Sequence, residues 1–518
     1  MAQQLRIVCL LILVMVLVWL PAGPSLAQER GAGELEEVLS GFGEEGPKKK
    51  SGSPGTGLDE ALEGFEEEPV QAGDREEEGG SEMDEALEGF EPREEAAPED
   101  VAKEADEESA RQARLPQWLD LGGFLSLGSS LAVDHDPPRA GQPDYRWLDR
   151  LKSSFQLEAE ARLPQGWRAY AAGKAFFDWA YLIKGRETFN QATLDRYESE
   201  VELGEAFLQG SLLPALDIKT GRQIVVWGKF DNIRVTDILN PLDNREPGLV
   251  DIEDLRLPVA MTKLDLYLGP WNLAGIVVHE VRQNKDPTFG SDFFPFDLPP
   301  PPSITPDFGP ENQEYGLALN GVFSGWDLSF YGAYVFSDQA GLALRGGELR
   351  QVHPRNWMAG VAANAVFGSW LIKAEAALIG GLEFFALPGE EKTRLDLSLG
   401  LEYTGFRDTT ISLEMVNRHL LDFDPRLEGT NEAVEDEFTS ALRLTRKFMH
   451  ERLELTFLAT TQGLVGDGGG IQRLQAAYEL TDNLTLTGGL VSYMEGDRIF
   501  FQDIGDRDRV FLELKYHF

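Results

Sequence analysis

Apolar and polar positions alternate along most of the chain, and the pattern is clearest in the last nine residues. One face of the strand predicted there carries only apolar side chains: Val510, Leu512, Leu514, Tyr516 and Phe518. The opposite face carries mostly charged and polar side chains. A period of two predicts a strand that meets an apolar phase on one side and water on the other. The edge strand of a soluble sheet would show the same alternation, so this segment by itself leaves both structures open.

The same period recurs from Trp118 onward and predicts long strands, such as those over 148–163 and 166–182. We count eighteen such segments between Trp118 and the C-terminus. Tight links such as Gly269-Pro270 follow every second strand, and long loops follow the others. Short turns at one end and long loops at the other are typical of bacterial outer-membrane proteins. The sequence therefore predicts an all-β fold, a transmembrane antiparallel β-barrel of about 16–18 strands over residues 115–518.

Tryptophan follows four of the tight links. Parity places all four side chains on the outward face, at the end of the barrel where the turns lie: Trp167, Trp271, Trp326 and Trp370. Outer-membrane barrels carry rings of aromatic residues at the membrane interfaces. A soluble β-protein has no reason to repeat tryptophan in this way, so the pattern favours a membrane barrel.

The first 27 residues have the features of a secretory signal. Arg6 precedes an apolar run over 7–20, and Ser25-Leu26-Ala27 forms a small-x-small cleavage site. A membrane anchor is the alternative, but 14 apolar residues are short for a span. Cys9, the only cysteine, lies in this segment, so the predicted mature chain has no disulfide or thiolate metal site.

Residues 28–114 have a different composition from the rest of the chain. They hold 29 acidic and 9 basic residues, a net charge of −20 out of −41 for the whole chain. Such a segment buries too little apolar surface to offset its conformational entropy, so we expect a disordered acidic tail. Since an even-stranded barrel has both termini at its turn end, the tail is expected in the periplasm.

One motif repeats within this tail. Leu58 to Phe65 and Met83 to Phe90 are near copies of each other, and Leu35 to Phe42 is a degenerate third copy. Apolar residues kept in an acidic segment favour a motif that folds on a periplasmic partner, although a duplicated spacer without a partner would give the same pattern. The residues predicted to contact the partner are Leu62, Phe65, Leu87 and Phe90.

A long loop over 227–261 holds more aliphatic residues than a solvated loop needs, so we expect it to fold into the barrel and pack there. Short helical turns are predicted over 236–239 and 250–257, each ended by a proline. The charged residues would then form either a pore constriction or a plug held by internal ion pairs. These residues are Lys229, Asp231, Arg234, Asp237, Arg245, Asp251, Glu253, Asp254 and Arg256.

A second long loop, over 284–311, is rich in phenylalanine and proline. Its aromatic residues either present an exposed surface to an apolar ligand or pack over the mouth of the barrel. The sequence does not separate these two possibilities.

Two segments resemble known families. The segment Gly221 to Gly228, with Thr236 to Pro241 and Asp251 to Pro258, resembles an uncharacterised outer-membrane family, domain of unknown function 1302, over about residues 215–300. That resemblance implies transport, possible work with an inner-membrane pump of the resistance-nodulation-division type that handles hydrophobic molecules, and no catalytic residues. The C-terminal strand resembles the assembly signal of outer-membrane barrels, which implies that the barrel assembly machinery reads Tyr516 and Phe518.

Enzymatic and nucleic-acid functions find little support in the sequence. The 6 histidines are scattered, with no serine, cysteine or second histidine at catalytic or ligand spacing, and we expect no cofactor. Residues 115–518 hold 59 acidic and 37 basic residues, and this net charge of −22 disfavours nucleic acid. The sequence therefore predicts an outer-membrane channel, in contact with membrane lipids, for small apolar or amphipathic molecules. The alternative is a non-conducting receptor or scaffold whose loops and acidic tail bind partners.

Overall fold

The computed structural model of the protein describes residues 116–138, 142–430 and 432–518. The predicted signal over 1–27 and the acidic tail over 28–114 lie outside the described residues. Eighteen strands in the described part form one antiparallel sheet. The last strand pairs with the first, so that Leu125 lies opposite Tyr516 and the sheet closes on itself. The predicted transmembrane β-barrel is confirmed.

The strands are numbered in chain order. The barrel consists of β1 (Leu119–Asp134), β2 (Trp147–Arg162), β3 (Arg168–Asp178), β4 (Ser199–Leu213), β5 (Leu216–Gln223), β6 (Val259–Leu268), β7 (Trp271–Val278), β9 (Glu314–Phe323), β10 (Trp326–Phe336), β13 (Arg355–Phe367), β14 (Trp370–Glu383), β15 (Glu391–Tyr403), β16 (Thr409–Leu420), β17 (Asp436–Phe448), β18 (Leu453–Gln462), β19 (Gly469–Thr481), β20 (Leu484–Met494) and β21 (Asp508–His517). A separate small sheet consists of β8 (Ser303–Ile304), β11 (Gly341–Arg345) and β12 (Glu348–Val352).

Helices are few and short. They are α1 (Ala180–Lys184), α2 (Gln191–Tyr197) and α3 (Pro425–Gly429), with 3-10 turns at Pro164–Gly166, Arg186–Thr188, Ile252–Leu255, Pro310–Asn312 and Ile499–Phe501. Among the described residues, no helix has the length and hydropathy needed to cross a membrane.

The links between strands differ in length at the two ends of the barrel. At the end that we call the turn end, links such as 214–215, 269–270 and 324–325 are two residues long. At the opposite end, the loop end, two long segments join the strands: the inward loop (residues 224–258) and the mouth loop (residues 279–313). Both described termini lie at the turn end, because β1 begins and β21 finishes there.

The outward face of the barrel is apolar. In β21, the alternation predicted from the sequence holds, since the five outward side chains from Val510 to Phe518 are each between 41% and 51% exposed. The main chain of Phe518 exchanges hydrogen bonds with Gly123, and its ring stacks on Phe155 with 6.3 Å between centroids. The C-terminal residue thus completes the wall that closes the barrel.

Aromatic side chains form the predicted ring at the turn end. The Phe323 ring lies 5.4 Å from Trp271 and 4.2 Å from Trp326. Farther along the wall, Trp370 packs against Tyr403 with 4.5 Å between centroids. Such a ring marks the level at which the wall leaves the lipid hydrocarbon.

The inward loop fills the lumen at mid-height. Its buried residues Val225, Ile233 and Leu239 pack against inward-facing side chains of β7, β9, β10, β13, β14, β16 and β17. The Trp227 ring stacks on the Tyr331 ring of β10 with 4.9 Å between centroids. A barrel of this strand number is too wide for its own side chains to fill, so this loop supplies the apolar core.

Candidate pore constriction

One wall glutamate holds the first turn of the inward loop. Glu375 of β14 accepts hydrogen bonds from the Phe230 N–H at 3.2 Å and from the N–H and hydroxyl of Thr236 at 3.2 and 2.8 Å. Gly228, at a φ of +85°, passes so close that an added Cβ would lie 2.5 Å from this carboxylate. The helical turn predicted over 236–239 is wrong, since these residues form no helix and the loop is held there by the bonds of Thr236 to the wall.

A second wall glutamate holds the next residues of the loop. Glu414 of β16 accepts hydrogen bonds from the main-chain N–H groups of Asp231, Asn232 and Ile233, each at 3.0 Å. The Glu414 side chain is fully buried. A buried carboxylate is stable only when its acceptor capacity is used, and three N–H donors provide this. The loop and the wall therefore satisfy each other's buried polar groups.

A single asparagine joins the two ends of the inward loop. The Asn240 amide accepts from the Val225 N–H at 2.8 Å and donates to the carbonyls of Gln223 at 3.2 Å and Leu257 at 2.9 Å. Asn240 is fully buried. These contacts join residues at the start and at the end of the inward loop, so the two ends of the loop are held together.

Three of the predicted charged residues form a triad inside the loop. The Asp237 carboxylate lies 2.8 Å from Nε of Arg256 and 3.1 Å from Nε of Arg234, and it also accepts from the Trp227 N–H at 3.3 Å. Asp237 is only 4% exposed. The 3-10 turn at Ile252–Leu255, within the predicted helical segment 250–257, places Arg256 for this contact.

Two more predicted residues pair with the barrel wall. Lys229 Nζ lies 3.6 Å from the Asp327 carboxylate of β10. Asp231 accepts from Lys373 Nζ of β14 at 2.5 Å, and its side chain is 55% exposed to the lumen. These pairs fix the loop to β10 and β14, two strands that only β13 separates in the wall.

The far side of the loop is fixed to β4 and β2. The Arg245 guanidinium donates to Glu200 at 2.8 Å and to Asp243, and its side chain is 8% exposed. Its neighbour Glu246 accepts from Lys152 Nζ at 2.7 Å. Burial alone would raise the pKa of Glu246, but the charges of Arg150 and Lys152 lower it to about 2. Glu246 is therefore ionised throughout the physiological range.

A cavity lies between the inward loop and the wall. A cavity of about 240 Å³ lies between Asp251 and Asp254 of the loop and Arg443, Glu454 and Arg473 of β17 to β19. Arg473 donates to the Asp251 carboxylate at 2.8 Å across this cavity. Opposite charges thus face each other over a space that holds a few waters or a small solute.

The predicted charges therefore separate by location. Only Asp251 and Asp254 line the cavity, and the side chain of Glu253 lies outside the described part of the structure. The other predicted residues are paired within the loop or with the wall: Lys229, Asp231, Arg234, Asp237, Arg245 and Arg256.

Sequence reasoning missed the wall residues that meet the loop. Glu375, Glu414, Arg443, Glu454 and Arg473 all occupy inward positions of strands. The alternation of side chains along each strand would have identified them as charges inside the barrel. Glu375 also interrupts a run of alanines. Many charged side chains point into the barrel, and the ones that contact the loop are those at the same level along the barrel axis. The alternation of side chains does not give that level.

The mouth loop is held by a buried charge network. Asp292 accepts from Arg509 at 2.7 Å and lies 2.8 Å from His135 Nε2. Arg509 also donates to Asp149 at 2.6 Å. Burial by itself raises the pKa of Asp292, but the contact with His135 and the charges of Arg509 and Arg507 together lower it. Burial lowers the pKa of His135, but Asp292, the Asp136 carbonyl and Asp506 together raise it.

The aromatic residues of the mouth loop divide between the two predicted roles. Phe293, 4% exposed, packs with Leu249 of the inward loop and Tyr493 of the wall. Phe296 and Phe308 are 54% and 82% exposed. One part of the segment thus packs into the mouth, and another presents apolar side chains.

The remaining predicted sites lie elsewhere. The side chains of Tyr516 and Phe518 face outward from β21. Leu62, Phe65, Leu87 and Phe90 lie outside the described residues. Within residues 116–138, 142–430 and 432–518, no cluster of three or more histidine, cysteine and acidic residues could hold a metal ion.

Comparison with known structures returns bacterial proteins at low identity. OccK1 (OpdK) of Pseudomonas aeruginosa is 13% identical with a TM-score of 0.46, covering 77% of this chain and 98% of that one. OccK9 (OpdG) of the same species is 14% identical with a TM-score of 0.47, covering 77% and 97%. A BenF-like porin from Pseudomonas fluorescens Pf-5 is 14% identical with a TM-score of 0.46, covering 77% and 98%.

None of the curated proteins matches the chain. The family described as a protein of unknown function, DUF1302, matches residues 140–518, well beyond the stretch over 215–300 that carries the resemblance in the sequence. The chain belongs to the DUF1302 family.

Proposed function

We propose that the protein is an outer-membrane channel for small apolar or amphipathic molecules, with its turn end in the periplasm. The observation that supports this most directly is the cavity of about 240 Å³ between Asp251 and Asp254 and the facing Arg443 and Arg473. Solutes pass through this cavity, between the inward loop and strands β17 to β19. Ile252 and Leu458 also line this space, so apolar and charged surfaces border the same route.

The size of the cavity favours narrow or elongated solutes. Its volume lies just below the roughly 300–1,000 Å³ of pockets that enclose drug-sized ligands. Facing carboxylates and guanidinium groups orient a molecule that carries a charge, and the apolar lining accepts its remaining part. An amphipathic molecule uses both kinds of contact.

Planar-bilayer recording tests this proposal. The purified, folded barrel is expected to give stable steps of current, and replacement of the inward loop by a few residues is expected to raise the conductance. Removal of the β11–β12 hairpin, which lies outside the barrel sheet, serves as the matched control and leaves the conductance unchanged. A folded, heat-modifiable barrel that stays silent would overturn the channel.

A non-conducting receptor is the second candidate, and one observation favours it. Of the loop charges whose side chains are described, most are paired within the loop or with the wall, as in a plug. The same recording separates the two functions, because a receptor gives no current in the intact protein.

We further propose that the acidic tail brings a periplasmic or pump-borne partner to the channel. The support is the near-identity of the copies Leu58–Phe65 and Met83–Phe90 in an otherwise polar segment. Several weak copies of a motif on one chain bind by avidity. Replacing Leu62, Phe65, Leu87 and Phe90 with serine is expected to abolish capture of the partner and impair transport in cells, with unchanged single-channel current. Retention of every partner by this variant would leave the duplicated spacer as the explanation.

A further inference from the structure

The barrel wall has an interruption next to β4. The ladder between β3 and β4 runs up to the pair of Phe177 and Ser199. The ladder between β4 and β5 reaches only the pair of Ala206 and Arg222. Above that level the chain leaves β5 for the lumen as the inward loop, so the segment 199–205 of β4 is paired to β3 alone among the described strands. We call the border between this segment and residues 279–285 the seam.

The seam begins within the membrane rather than above it. Strands β5 and β7 each have 8 residues. At roughly 3.3 Å per residue and a tilt of about 40°, such a strand rises only about 20 Å, against an apolar band of about 25 Å. Since both strands start at the turn end, the missing height lies at the loop end. The seam therefore opens towards the outer part of the lipid layer.

The outer border of the seam is apolar. Val201 is 89% exposed and Leu203 is 53% exposed, both on the outward side of β4. Val226, where the chain turns inward, is 58% exposed. Because these side chains stand in lipid, an alkyl chain can lie against the seam without passing a polar barrier.

The inner side of the seam is closed by side chains instead of main-chain ladders. Glu202 pairs with Arg282 and accepts from Lys285 Nζ at 2.9 Å. Glu200 accepts from the same Lys285 at 2.6 Å and from Arg245 at 2.8 Å. These carboxylates belong to β4, and Arg282 and Lys285 belong to the mouth loop. Ion pairs of Glu200 and Glu202 with Arg282 and Lys285, which we call the ionic latch, therefore close the wall here. Main-chain hydrogen bonds between strands close it elsewhere.

We propose that this seam is a lateral portal through which amphipathic carboxylates pass between the lumen and the outer leaflet. The proposal rests on the proposed channel function and assigns the entry route and the substrate class. A carboxylate arriving from the lipid has the same chemistry as the Glu202 side chain, so it competes for Arg282 and Lys285. Its apolar part remains against Val201 and Leu203 until the head group has entered the lumen.

Paired cysteines test whether the seam must open. Because Cys9 is the only cysteine of the chain and lies in the predicted signal, introduced cysteines face no competing thiol in the mature protein. Glu202→Cys with Arg282→Cys, joined by a short bis-maleimide, locks the seam. The control is Glu158→Cys with Ala172→Cys, which cross-links β2 to β3, strands that the ladder already joins. Heat-modifiability before cross-linking checks that both variants fold.

Two readouts use dodecanoate as the probe. A diazirine derivative of dodecanoate, partitioned into vesicles that hold the protein, is expected to label residues 199–205 and 280–285 in preference to the rest of the lipid-facing surface. Excess dodecanoate should compete, and acetate should not. Dodecanoate added to a bilayer is also expected to block the current. Adding the bis-maleimide to the Glu202→Cys, Arg282→Cys variant should reduce the potency of this block at least about tenfold, and adding it to the control should leave the potency unchanged.

Labelling spread evenly over the outward face, or undiminished block after the seam is locked, would overturn the portal. A protein that gives no current while its seam is still labelled would overturn the channel function and leave the seam as a carboxylate site. Loss of block when the control is cross-linked would show that cross-linking of the wall, and not closure of the seam, abolishes the block, which also overturns the portal.

Discussion

Glu414 offers the sharpest test of how the inward loop is held. In Glu414→Gln, one carboxylate oxygen becomes an NH₂ group that meets main-chain N–H donors. The Asn232 and Ile233 N–H groups donate to Oε2, and the Asp231 N–H group donates to Oε1. Either orientation of the amide therefore loses at least one hydrogen bond. A hydrogen bond to a charged group contributes about 1.5–3 kcal/mol, so the docked loop is destabilised by at least that amount.

This loss translates into a measurable opening. At about 1.4 kcal/mol per factor of ten, the population of the undocked loop should rise roughly 10- to 100-fold. Hydrogen exchange followed by mass spectrometry should show residues 229–236 exchanging faster by that factor, while the strands stay protected. Glu158→Gln is the matched control, because Glu158 is an inward wall carboxylate whose partners are Gln156 and Tyr170. Unchanged exchange of residues 229–236 in a folded Glu414→Gln barrel would refute this account of loop docking.

Three further predictions concern the cavity, the mouth and assembly. Neutralising Asp251 and Asp254 to asparagine should lower the cation preference, measured as a smaller reversal potential in a salt gradient, because carboxylates at a constriction favour cations. Protonated His135 should stabilise the mouth loop. Because its pKa is raised in the folded protein, this stabilisation should be complete below the ordinary histidine pKa and should disappear as the pH rises through the raised pKa. Hydrogen exchange of the mouth loop, corrected for intrinsic rates, should show this step, and His135→Asn should remove it. Phe518→Ser should reduce the heat-modifiable barrel recovered from cells, and recovery equal to the wild type would contradict an assembly role.

The wall of the barrel could be predicted from the sequence because its rule is local. Each strand alternates between lipid and lumen, so Val510 and Leu512 identify the outward face without reference to any other part of the chain. The tight links and the tryptophans after them, such as Trp326, depend only on neighbouring residues. Local patterns of this kind set the strand number and the direction of most side chains, whereas bulges such as the one in β4 between Leu203 and Ala206 shift the alternation.

The interior could not be predicted in the same way. The bond from Ile233 to Glu414 joins residues 181 positions apart, and no local pattern relates them. Thr236 has the sequence context of a helical turn, yet its donors are used by Glu375. Arg473 meets Asp251 across 222 positions. Parity tells which charges face inward, while the relative height of strand and loop decides which of them meet.

The dependence of the inward loop on Glu375 and Glu414 has a consequence for the order of events during assembly. The loop leaves the wall after β5, but the carboxylates that receive its N–H groups arrive with β14 and β16. Until those strands have joined the sheet, residues 229–236 lack their partners and must remain hydrated. Insertion of the loop is therefore coupled to a nearly complete wall, and residues 229–236 should gain protection from hydrogen exchange only after β14 and β16 have joined the sheet.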